Sequence, residues 1–335
     1  MNIKEIEAYL VENFSFDPNF TVKDAKNYHL YFYMQVAKSL GIKTYRFPNK
    51  ALAFFKKGEK QFYISHAETP LNSYVSALIA GKKKTTNYLL SYHNLPVPES
   101  HQVNSLEELN KVYEKLKHSI VVKPDQGIAG RGITILPKKN ELEKAWNYCN
   151  LYRNTGNVIV EEFIAGNNYR LLVIGNKVVA AAKRVPAKVI GDGTSTIKKL
   201  IEDESDNRKK NGLSEITVDS ELERRLENEN LNMKSTPPKN KTIYLRYNSN
   251  LSTGGTTEEC LKEVNENYLK LAVDACKAID LKFGGVDLIT PNIGNPNVKH
   301  AINEINRAPG LRIHYFPDKG VPQNVAKAVI QEILK

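Results

Sequence analysis

The chain has 335 residues, of which 41% are hydrophobic and 25% are charged. This composition is typical of a folded globular protein and excludes a mainly disordered one. The formal net charge is +11, but the basic residues are spread along the chain and their densest clusters, at 82–84 and 208–210, are short, so the charge does not favour nucleic-acid binding over a lysine-rich surface.

The N-terminus and the cysteines favour a cytoplasmic protein. Met1-Asn2-Ile3-Lys4-Glu5 lacks the basic-then-apolar layout of a signal peptide. No apolar run approaches the roughly 20 residues of a membrane helix, so we expect no membrane partner. Cys149, Cys260 and Cys276 are odd in number and lack C-x-x-C spacing, which argues against a disulfide framework or a zinc cluster.

The first predicted region is an N-terminal α/β lobe over residues 1–80. Apolar residues recur at helical spacing near 3–10 and 31–40, and short apolar pieces follow. We find no chemical motif in this lobe, so it could shape a substrate pocket or only support the rest of the chain.

The second predicted region, 81–164, is a small α+β subdomain. In chain order it contains a helix over 83–92, a capping box at Ser105 and Glu108, a strand over 119–124, a glycine-rich loop, a strand over 133–136, a helix from about 142 to 149 and a strand over 158–163.

The third predicted region, 165–335, is a larger α+β subdomain. It contains a hairpin that turns at Gly175-Asn176, a helix over about 262–280, strands over 285–290 and 300–306, and a last helix over 323–334. Residues 186–256 are polar and turn-rich, so we predict a lid-like insertion that folds over a site.

The last two strands carry a candidate metal site. Glu304 and Asn306 are two residues apart and face the same side of a strand, and Asp287 lies on the preceding strand. If the strands pair, three oxygen ligands converge, a set that suits Mg²⁺. A solvated hairpin face is the alternative interpretation.

The glycine-rich loop is a candidate phosphate site. Gly127, Gly130 and Gly132 lie between two short strands, where backbone N–H groups can approach phosphate closely. Lys123 just before the loop adds a positive charge. The loop is neither a Walker loop nor a Rossmann turn, since no helix follows it directly. A plain turn and a surface lysine are the alternatives.

Taken together, these motifs resemble the ATP-grasp superfamily of carboxylate–amine ligases, in particular the ATP-grasp half of cyanophycin synthetase. The glutathione synthetase-like domain of bifunctional glutathione enzymes looks similar over the same span, about residue 81 to the end. The segments that carry the resemblance are Val121-Val122-Lys123-Pro124, residues 161–172, Arg184-Val185-Pro186-Ala187-x-Val189-x-Gly191-Asp192-Gly193, Asn250-Leu251-Ser252-Thr253-Gly254-Gly255-Thr256, Gly285-Val286-Asp287 and Glu304-x-Asn306-x-x-Pro309-Gly310.

The resemblance implies an ATP-grasp fold, in which two α+β subdomains grip ATP. It implies phosphate-binding lysines, a glycine flap, a hinge whose backbone reads adenine, and a ribose contact where Asn168 replaces the acidic residue of many relatives. The implied ATP-binding residues are Lys83, Lys123, Gly127, Gly130, Gly132, Glu161, Glu162, Phe163, Ile164 and Asn168.

The resemblance also implies two Mg²⁺ ions, with Mn²⁺ as a substitute, on Asp287, Glu304 and Asn306. Arg170, Arg184 and Arg312 are the implied catalytic residues, facing phosphates or an acyl phosphate. The implied substrate-binding residues are Ser252, Thr253, Gly254, Gly255, Arg312 and His314.

The implied activity joins an amino acid or short peptide to an amine through an acyl phosphate, with release of ADP and phosphate. A glutathione synthetase-like ligase, an ATP-grasp kinase or phosphotransferase, and a non-enzymatic polyanion-binding protein are the alternatives. We expect small-molecule partners, and a homodimer and a partner enzyme of the same pathway stay open. Because the last predicted helix ends close to Lys335, we expect no second ligase half.

Overall fold

The computed structural model describes residues 3–17, 19–20, 27–48, 50–117, 119–125, 132–153, 157–210 and 213–335. Helices alternate with antiparallel sheets, which confirms the predicted α+β class. Its described helices are α1 (Ile3–Phe14), α2 (Tyr28–Ser39), α3 (Tyr74–Ala80), α4 (Lys83–Tyr92), α5 (Leu106–Lys115), α6 (Leu142–Tyr152), α7 (Ile197–Lys210), α8 (Ser220–Glu227), α9 (Glu266–Ala278), α10 (Arg312–Tyr315) and α11 (Val325–Leu334).

The strands of the described residues form four sheets. They are β1 (Lys43–Arg46), β2 (Leu52–Lys57), β3 (Lys60–Ser65), β4 (Ser100–Val103), β5 (Ile120–Pro124), β6 (Thr134–Ile135), β7 (Val158–Glu162), β8 (Asn167–Ile174), β9 (Lys177–Val185), β10 (Lys188–Ile190), β11 (Thr242–Tyr244), β12 (Thr256–Glu259), β13 (Phe283–Thr290) and β14 (Ala301–Asn306). Their orders are β1-β2-β3, β4-β7-β5-β6, β12-β9-β8-β13-β14 and β10-β11.

The N-terminal residues share a hydrophobic core with the C-terminal helices. Helix α2 starts at Asn27, whose side chain accepts hydrogen bonds from the N–H groups of His29 and Leu30. The Phe32 ring stacks on the Tyr315 ring, with 3.8 Å between centroids. This cluster also includes part of one face of the five-stranded sheet. The predicted divisions after residues 80 and 164 stay predictions.

The four-stranded sheet packs against helices on one face and carries two ionisable side chains on the other. Val122 and Val160 pack with helices α5 and α6 in one cluster. Lys123 and Glu161, one position further along their strands, therefore lie on the opposite face. Side chains alternate between the two faces along β5 and β7, so Lys123 and Glu161 lie on the face that does not pack against the helices. The larger, five-stranded sheet supplies the other half of the candidate site.

The five-stranded sheet carries a polar area on an otherwise buried face. Leu171, Val286 and Ile305 pack with helix α9 on one side. On the opposite side, Leu172 and Phe283 join the N-terminal core. The other end of that side carries polar residues on four neighbouring strands: Asn168, Arg170, Arg184, Asp287, Glu304 and Asn306.

The predicted insertion is a folded unit with its own core. Helices α7 and α8 cover the two-stranded sheet β10-β11 and bury a separate cluster. The members of this cluster are Ala187, Val189, Ile197, Ile201, Ile216, Leu222, Leu226, Ile243 and Leu245. Its apolar residues are scattered among charged ones, so no single periodic segment of the sequence revealed this core.

Element ends differ from the sequence-based expectations by a few residues. The helix expected over 262–280 begins at Glu266 because the Asn265 side chain caps it by accepting the N–H of Asn267. The strand expected over 133–136 is limited to two residues of β6. Within the described residues, no helix is both long and apolar enough to cross a membrane.

Candidate active site

Asp287 is the buried centre of the polar area on the five-stranded sheet. Its neighbour across β8 is Arg170, whose Nε and Nη2 both donate to the carboxylate, the Nη2 bond being 3.0 Å long. Arg184, on β9, donates from Nη2 to Oδ2 at 2.7 Å. Burial by itself raises the pKa of Asp287, but the charges of Arg170 and Arg184 outweigh it and hold the pKa well below its usual range.

Gly285 makes room for the Arg170 side chain on this face. A Cβ atom at this position would lie 2.8 Å from Arg170 Cδ and 2.7 Å from Pro309 Cβ. Since such contacts are shorter than van der Waals separation allows, a larger residue would push the arginine away from Asp287. The glycine predicted from the resemblance therefore has a structural reason.

Glu304 and Asn306 lie beside Asp287, as their strand parity predicts. Glu304 is the direct neighbour of Asp287 across β13 and β14, and Asn306 Nδ2 donates to Glu304 Oε1 at 3.1 Å. Burial and then the charge of Asp287 raise the pKa of Glu304. A cation beside Glu304 would offset this unfavourable charge, so the oxygen set fits Mg²⁺.

The metal set contains an amide as its third member. Among the described residues, no group of three or more His, Cys, Asp or Glu side chains is arranged to hold a metal ion. Asp287 also shares its oxygens with two arginines. Glu304 and Asn306 are therefore the members with the more available oxygens.

Two predicted phosphate-binding lysines meet at one carboxylate. Lys123 and Lys83 both form ion pairs with Glu161, the second at 3.8 Å. Glu161 is 4% exposed, and the two lysine charges lower its pKa against the effect of burial. Burial lowers the pKa of Lys123 to about 7, while Glu161 acts in the opposite direction and Lys83 adds to the decrease.

A β-bulge connects this lysine cluster to the larger sheet. The register between β13 and β14 shifts between Asp287 and Leu288, which leaves Asn303 as the extra residue. Its Oδ1 accepts a 3.2 Å hydrogen bond from Lys83 Nζ. A chain of contacts from Asn303 through Lys83 and Glu161 to Lys123 thus spans the cleft between the two sheets.

In the predicted hinge, residues 161–164, several backbone and side-chain groups already have hydrogen-bond or ion-pair partners. The N–H of Glu162 donates to Glu99 O at 2.8 Å, and that of Phe163 donates to Ser119 O at 2.9 Å. The Glu162 side chain pairs with Lys299, and Ile164 is buried. Asn168 lies directly across from Arg184. The adenine and ribose contacts stay predictions.

Among the flap residues 127–132, the structure describes Gly132, and the fold requires a glycine at this position. Gly132 has φ +74°, and a Cβ there would lie 2.9 Å from Tyr152 Cβ and 3.3 Å from Pro124 Cδ. Gly127 and Gly130 lie outside the described residues, and their phosphate contacts stay predictions.

The predicted acceptor loop and Arg312 meet at a narrow cavity. Gly255 and Arg312 line a space of about 10 Å³ together with Leu251, Phe316, Asp318 and Arg208, enough for about one water molecule. Thr253 Oγ1 donates to Asn248 Oδ1 at 3.1 Å, and Gly254 packs against Ile216. Ser252 lies in the same short 3₁₀ turn, Leu251–Thr253. The loop therefore lies against the insertion core in a closed arrangement.

Arg312 and His314 project from the short helix α10. The Arg312 guanidinium lies over the Tyr28 ring, 5.2 Å from its centroid, and over Phe316. His314 is buried, and neither ring nitrogen has a hydrogen-bond partner within the described residues. Burial and then the charge of Arg170 lower the pKa of His314 to about 3, so its imidazole is neutral.

Three residues of the site have contacts that the sequence did not predict. The Glu161 side chain forms ion pairs with Lys83 and Lys123, whereas the resemblance implied that its backbone contacts adenine. A charged residue inside the apolar strand Val158–Glu162 was the sequence feature that could have indicated a buried ion pair. The consecutive polar pair Asn303-Glu304 breaks strand alternation and signals the bulge. No sequence feature marked Tyr28, because its contact with the Arg312 guanidinium depends on how helix α2 packs against helix α10.

Comparison with known proteins agrees with this geometry. Residues 88–174 match the ATP-grasp domain family. The chain is 38% identical over 261 residues to cyanophycin synthetase of Trichormus variabilis, covering 75% of this chain and 29% of that protein. It is 34% identical over 285 residues to the glutathione biosynthesis bifunctional protein GshAB of Clostridium perfringens, covering 82% and 36%.

A solved structure extends the comparison to the fold. The crystal structure of a bifunctional glutathione synthetase from Pasteurella multocida matches with a TM-score of 0.68 and 28% identity, covering 94% of this chain and 45% of that chain. The chain spans about a third of the length of the two curated relatives. By sequence and by fold, the chain therefore contains an ATP-grasp domain, and the resemblance to ATP-grasp ligases that the motifs predicted is confirmed.

Proposed function

We propose that this chain is an ATP-dependent carboxylate–amine ligase that forms a peptide or isopeptide bond on an amino acid or short peptide. The observation that carries the proposal is the contact chain across the cleft. Lys123 on the small sheet and Lys83 on helix α4 meet at Glu161, and Lys83 reaches Asn303, beside the cluster of Asp287, Glu304 and Arg170 on the larger sheet. Positive groups and oxygen ligands on two sides of one cleft suit a magnesium–triphosphate complex.

ATP would lie in this cleft, with its phosphates near Lys83 and Lys123. Glu304, Asn306 and Asp287 would hold Mg²⁺, expected as two ions. Bound Mg²⁺ offsets the negative charge of the phosphates during transfer. Arg170 and Arg184 keep Asp287 ionised and oriented through their hydrogen bonds, so the site is set up before the ligand arrives.

In the first proposed step, a substrate carboxylate oxygen attacks the γ-phosphorus of ATP. The bond from that phosphorus to the bridging oxygen breaks, ADP leaves, and an acyl phosphate forms. The two lysines hold the phosphates in line for attack. No serine or cysteine nucleophile is required.

In the second proposed step, an amine attacks the acyl carbon. The carbon–oxygen bond to phosphate breaks, phosphate leaves with the electron pair, and the amine nitrogen gives its proton to the departing phosphate. Arg312, beside the closed acceptor loop, is the candidate to stabilise the tetrahedral oxyanion. The insertion lobe excludes water, which would otherwise hydrolyse the acyl phosphate.

The substrate class is proposed from charge and from the relatives. A net charge of +11 fits an acidic amino acid or an anionic peptide, and it fits ATP and a lysine-rich surface equally well. The relatives named for cyanophycin and glutathione synthesis support small amino-acid or peptide substrates. Light scattering of the purified protein would test for a homodimer, and a ligase assay with the purified protein alone would test for the need of a partner enzyme.

The test is release of ADP and phosphate from MgATP in the presence of amino acids and short peptides, singly and in pairs, with products identified by mass spectrometry. We expect release to require two partners and the product to be lighter by one water than their sum. Transfer of phosphate to one compound, without an amine requirement, would instead establish a kinase. Failure of MgATP to bind would overturn the proposal.

A further inference from the structure

We propose that Arg224 is a positioning residue that couples closure of the insertion lobe to the strands that carry Lys123. The coupling makes nucleotide binding and closure of the insertion favour each other. The coupling to nucleotide binding rests on the proposed function, whereas the contact of Arg224 with the small sheet does not.

Arg224 leaves the insertion and reaches the small sheet. From helix α8, its Nη1 donates to Thr134 Oγ1 at 3.0 Å and its Nη2 donates to Ile133 O at 3.2 Å. Thr134 is 4% exposed. Two parallel donors from one guanidinium fix both distance and orientation, which a single flexible bond would not.

The acceptors of this contact lie next to the candidate phosphate site. Thr134 pairs with Val122 on β5, and Lys123 follows Val122 directly. Just before Ile133, Gly132 is packed against Pro124 at the end of the same strand. Displacement of β6 would therefore disturb the strand that holds Lys123 against Glu161.

The other end of the contact is firmly held within the insertion. Asp219 caps helix α8 by accepting the N–H groups of Glu221 and Leu222, and Arg246 donates two hydrogen bonds to the same carboxylate. Leu222 and Leu226 are buried in the insertion core. Since α8 is fixed to its own lobe, the lobe and β6 move together while the Arg224 bonds last.

This geometry has a thermodynamic consequence. If nucleotide binding stabilises the arrangement of β5 and β6, it also stabilises the arrangement that Arg224 requires, and the reverse holds with the same free energy. Removing the guanidinium should uncouple the two lobes without removing any proposed ligand of the nucleotide.

The neighbouring Arg225 is a matched control. It lies over Tyr247, 4.6 Å from the ring centroid, and pairs with Glu229 at 2.6 Å, so its contacts stay inside the insertion. We would compare Arg224→Met, Arg225→Met, Thr134→Val and the conservative Arg224→Lys in the full-length chain. Hydrogen exchange would be measured at 132–136 and 220–227, together with the Kd of the non-hydrolysable MgAMP-PNP.

In the free protein, we expect Arg224→Met to speed exchange in both segments and Arg225→Met to speed it at 220–227 alone. The Kd for MgAMP-PNP should rise about fivefold to tenfold in Arg224→Met and Thr134→Val, stay within twofold in Arg225→Met, and recover partly in Arg224→Lys.

Two results would overturn the proposal. Unchanged exchange at 132–136 in Arg224→Met would show that the contact does not hold the lobes together. Faster exchange in both segments with an unchanged Kd would show that the contact is structural and not coupled to nucleotide. Absence of nucleotide binding in the unmodified chain would overturn the proposed function and the nucleotide coupling, while the exchange data would still decide on the contact.

Discussion

Asp287 and Glu304 are direct neighbours across two strands, yet the fold shifts the pKa values of their carboxyl groups in opposite directions. The pKa of Asp287 is held low by Arg170 and Arg184, whereas burial and then Asp287 raise that of Glu304. Environments that separate two neighbouring carboxyl groups in this way are typical of sites where the two have different tasks. Here Asp287 organises the arginines, and Glu304 offers the more available oxygens.

Asp287→Asn should cost stability as well as activity. The substitution leaves Arg170 and Arg184 without their buried counter-charge, and breaking such a pair costs about 3–5 kcal/mol. Urea unfolding monitored by circular dichroism would measure the change in the free energy of unfolding. A loss below about 1 kcal/mol would show that the arginines find other partners.

Glu304→Gln should separate catalysis from stability. The amide keeps the size of the side chain and removes the charge that a metal ligand needs, so we expect turnover of MgATP to fall on the order of 100-fold. The free energy of unfolding should change by no more than about 1 kcal/mol. Glu107→Gln, at an exposed pair with Lys111, is the control. Normal turnover in Glu304→Gln would contradict the metal assignment.

Lys123 should make nucleotide binding depend on pH near neutrality. Its ammonium, with a pKa of about 7, loses its charge as the pH rises through that value, so phosphate binding weakens by up to about tenfold per pH unit. Titration of MgADP binding from pH 6 to pH 9 would show this trend, and Lys123→Met should lack it. Glu161→Gln should move the transition to lower pH, because Glu161 raises the pKa of Lys123.

The same group links folding stability to pH. Its pKa is lowered in the folded chain from an ordinary value of 10.5, so between these two values the unfolded chain binds more protons. The free energy of unfolding should therefore gain a contribution that grows as the pH rises from about 7 towards 10.5. Comparison of the unmodified chain with Lys123→Met by urea unfolding would isolate it; an identical pH slope in both would contradict the assignment.

Gly285→Ala should displace Arg170. The new methyl group would meet Arg170 Cδ and Pro309 Cβ at 2.8 and 2.7 Å, and overpacking of this kind costs about 1–3 kcal/mol. We expect a stable but weakened fold with turnover reduced at least tenfold. Thermal unfolding and the ATPase assay would be run together. Full activity would show that Arg170 need not stay on Asp287.

Arg312→Met should affect amine transfer more than nucleotide binding. Its guanidinium lines the acceptor cavity and lies over Tyr28. The Kd for MgADP should stay within twofold, while product formation falls on the order of 100-fold. Calorimetry and product analysis would measure the two quantities; equal losses in both would place Arg312 at the nucleotide instead.

The sequence by itself determined the fold class and the order of the motifs. Helix 83–92 matches α4 at both ends, and strand parity alone predicts that Glu304 and Asn306 lie on one side of their strand. These features are local, because the period of apolar residues and the spacing along one strand determine them.

Only the tertiary structure decided which distant polar groups meet. Arg170 and Asp287 are 117 residues apart, and they pair because β8 lies beside β13 in the sheet order. Likewise, Glu161 joins two lysines and Arg224 reaches Thr134 across separate lobes. Sheet order and lobe packing depend on the total free energy of burying many apolar surfaces at once. No single segment of the sequence determines that total.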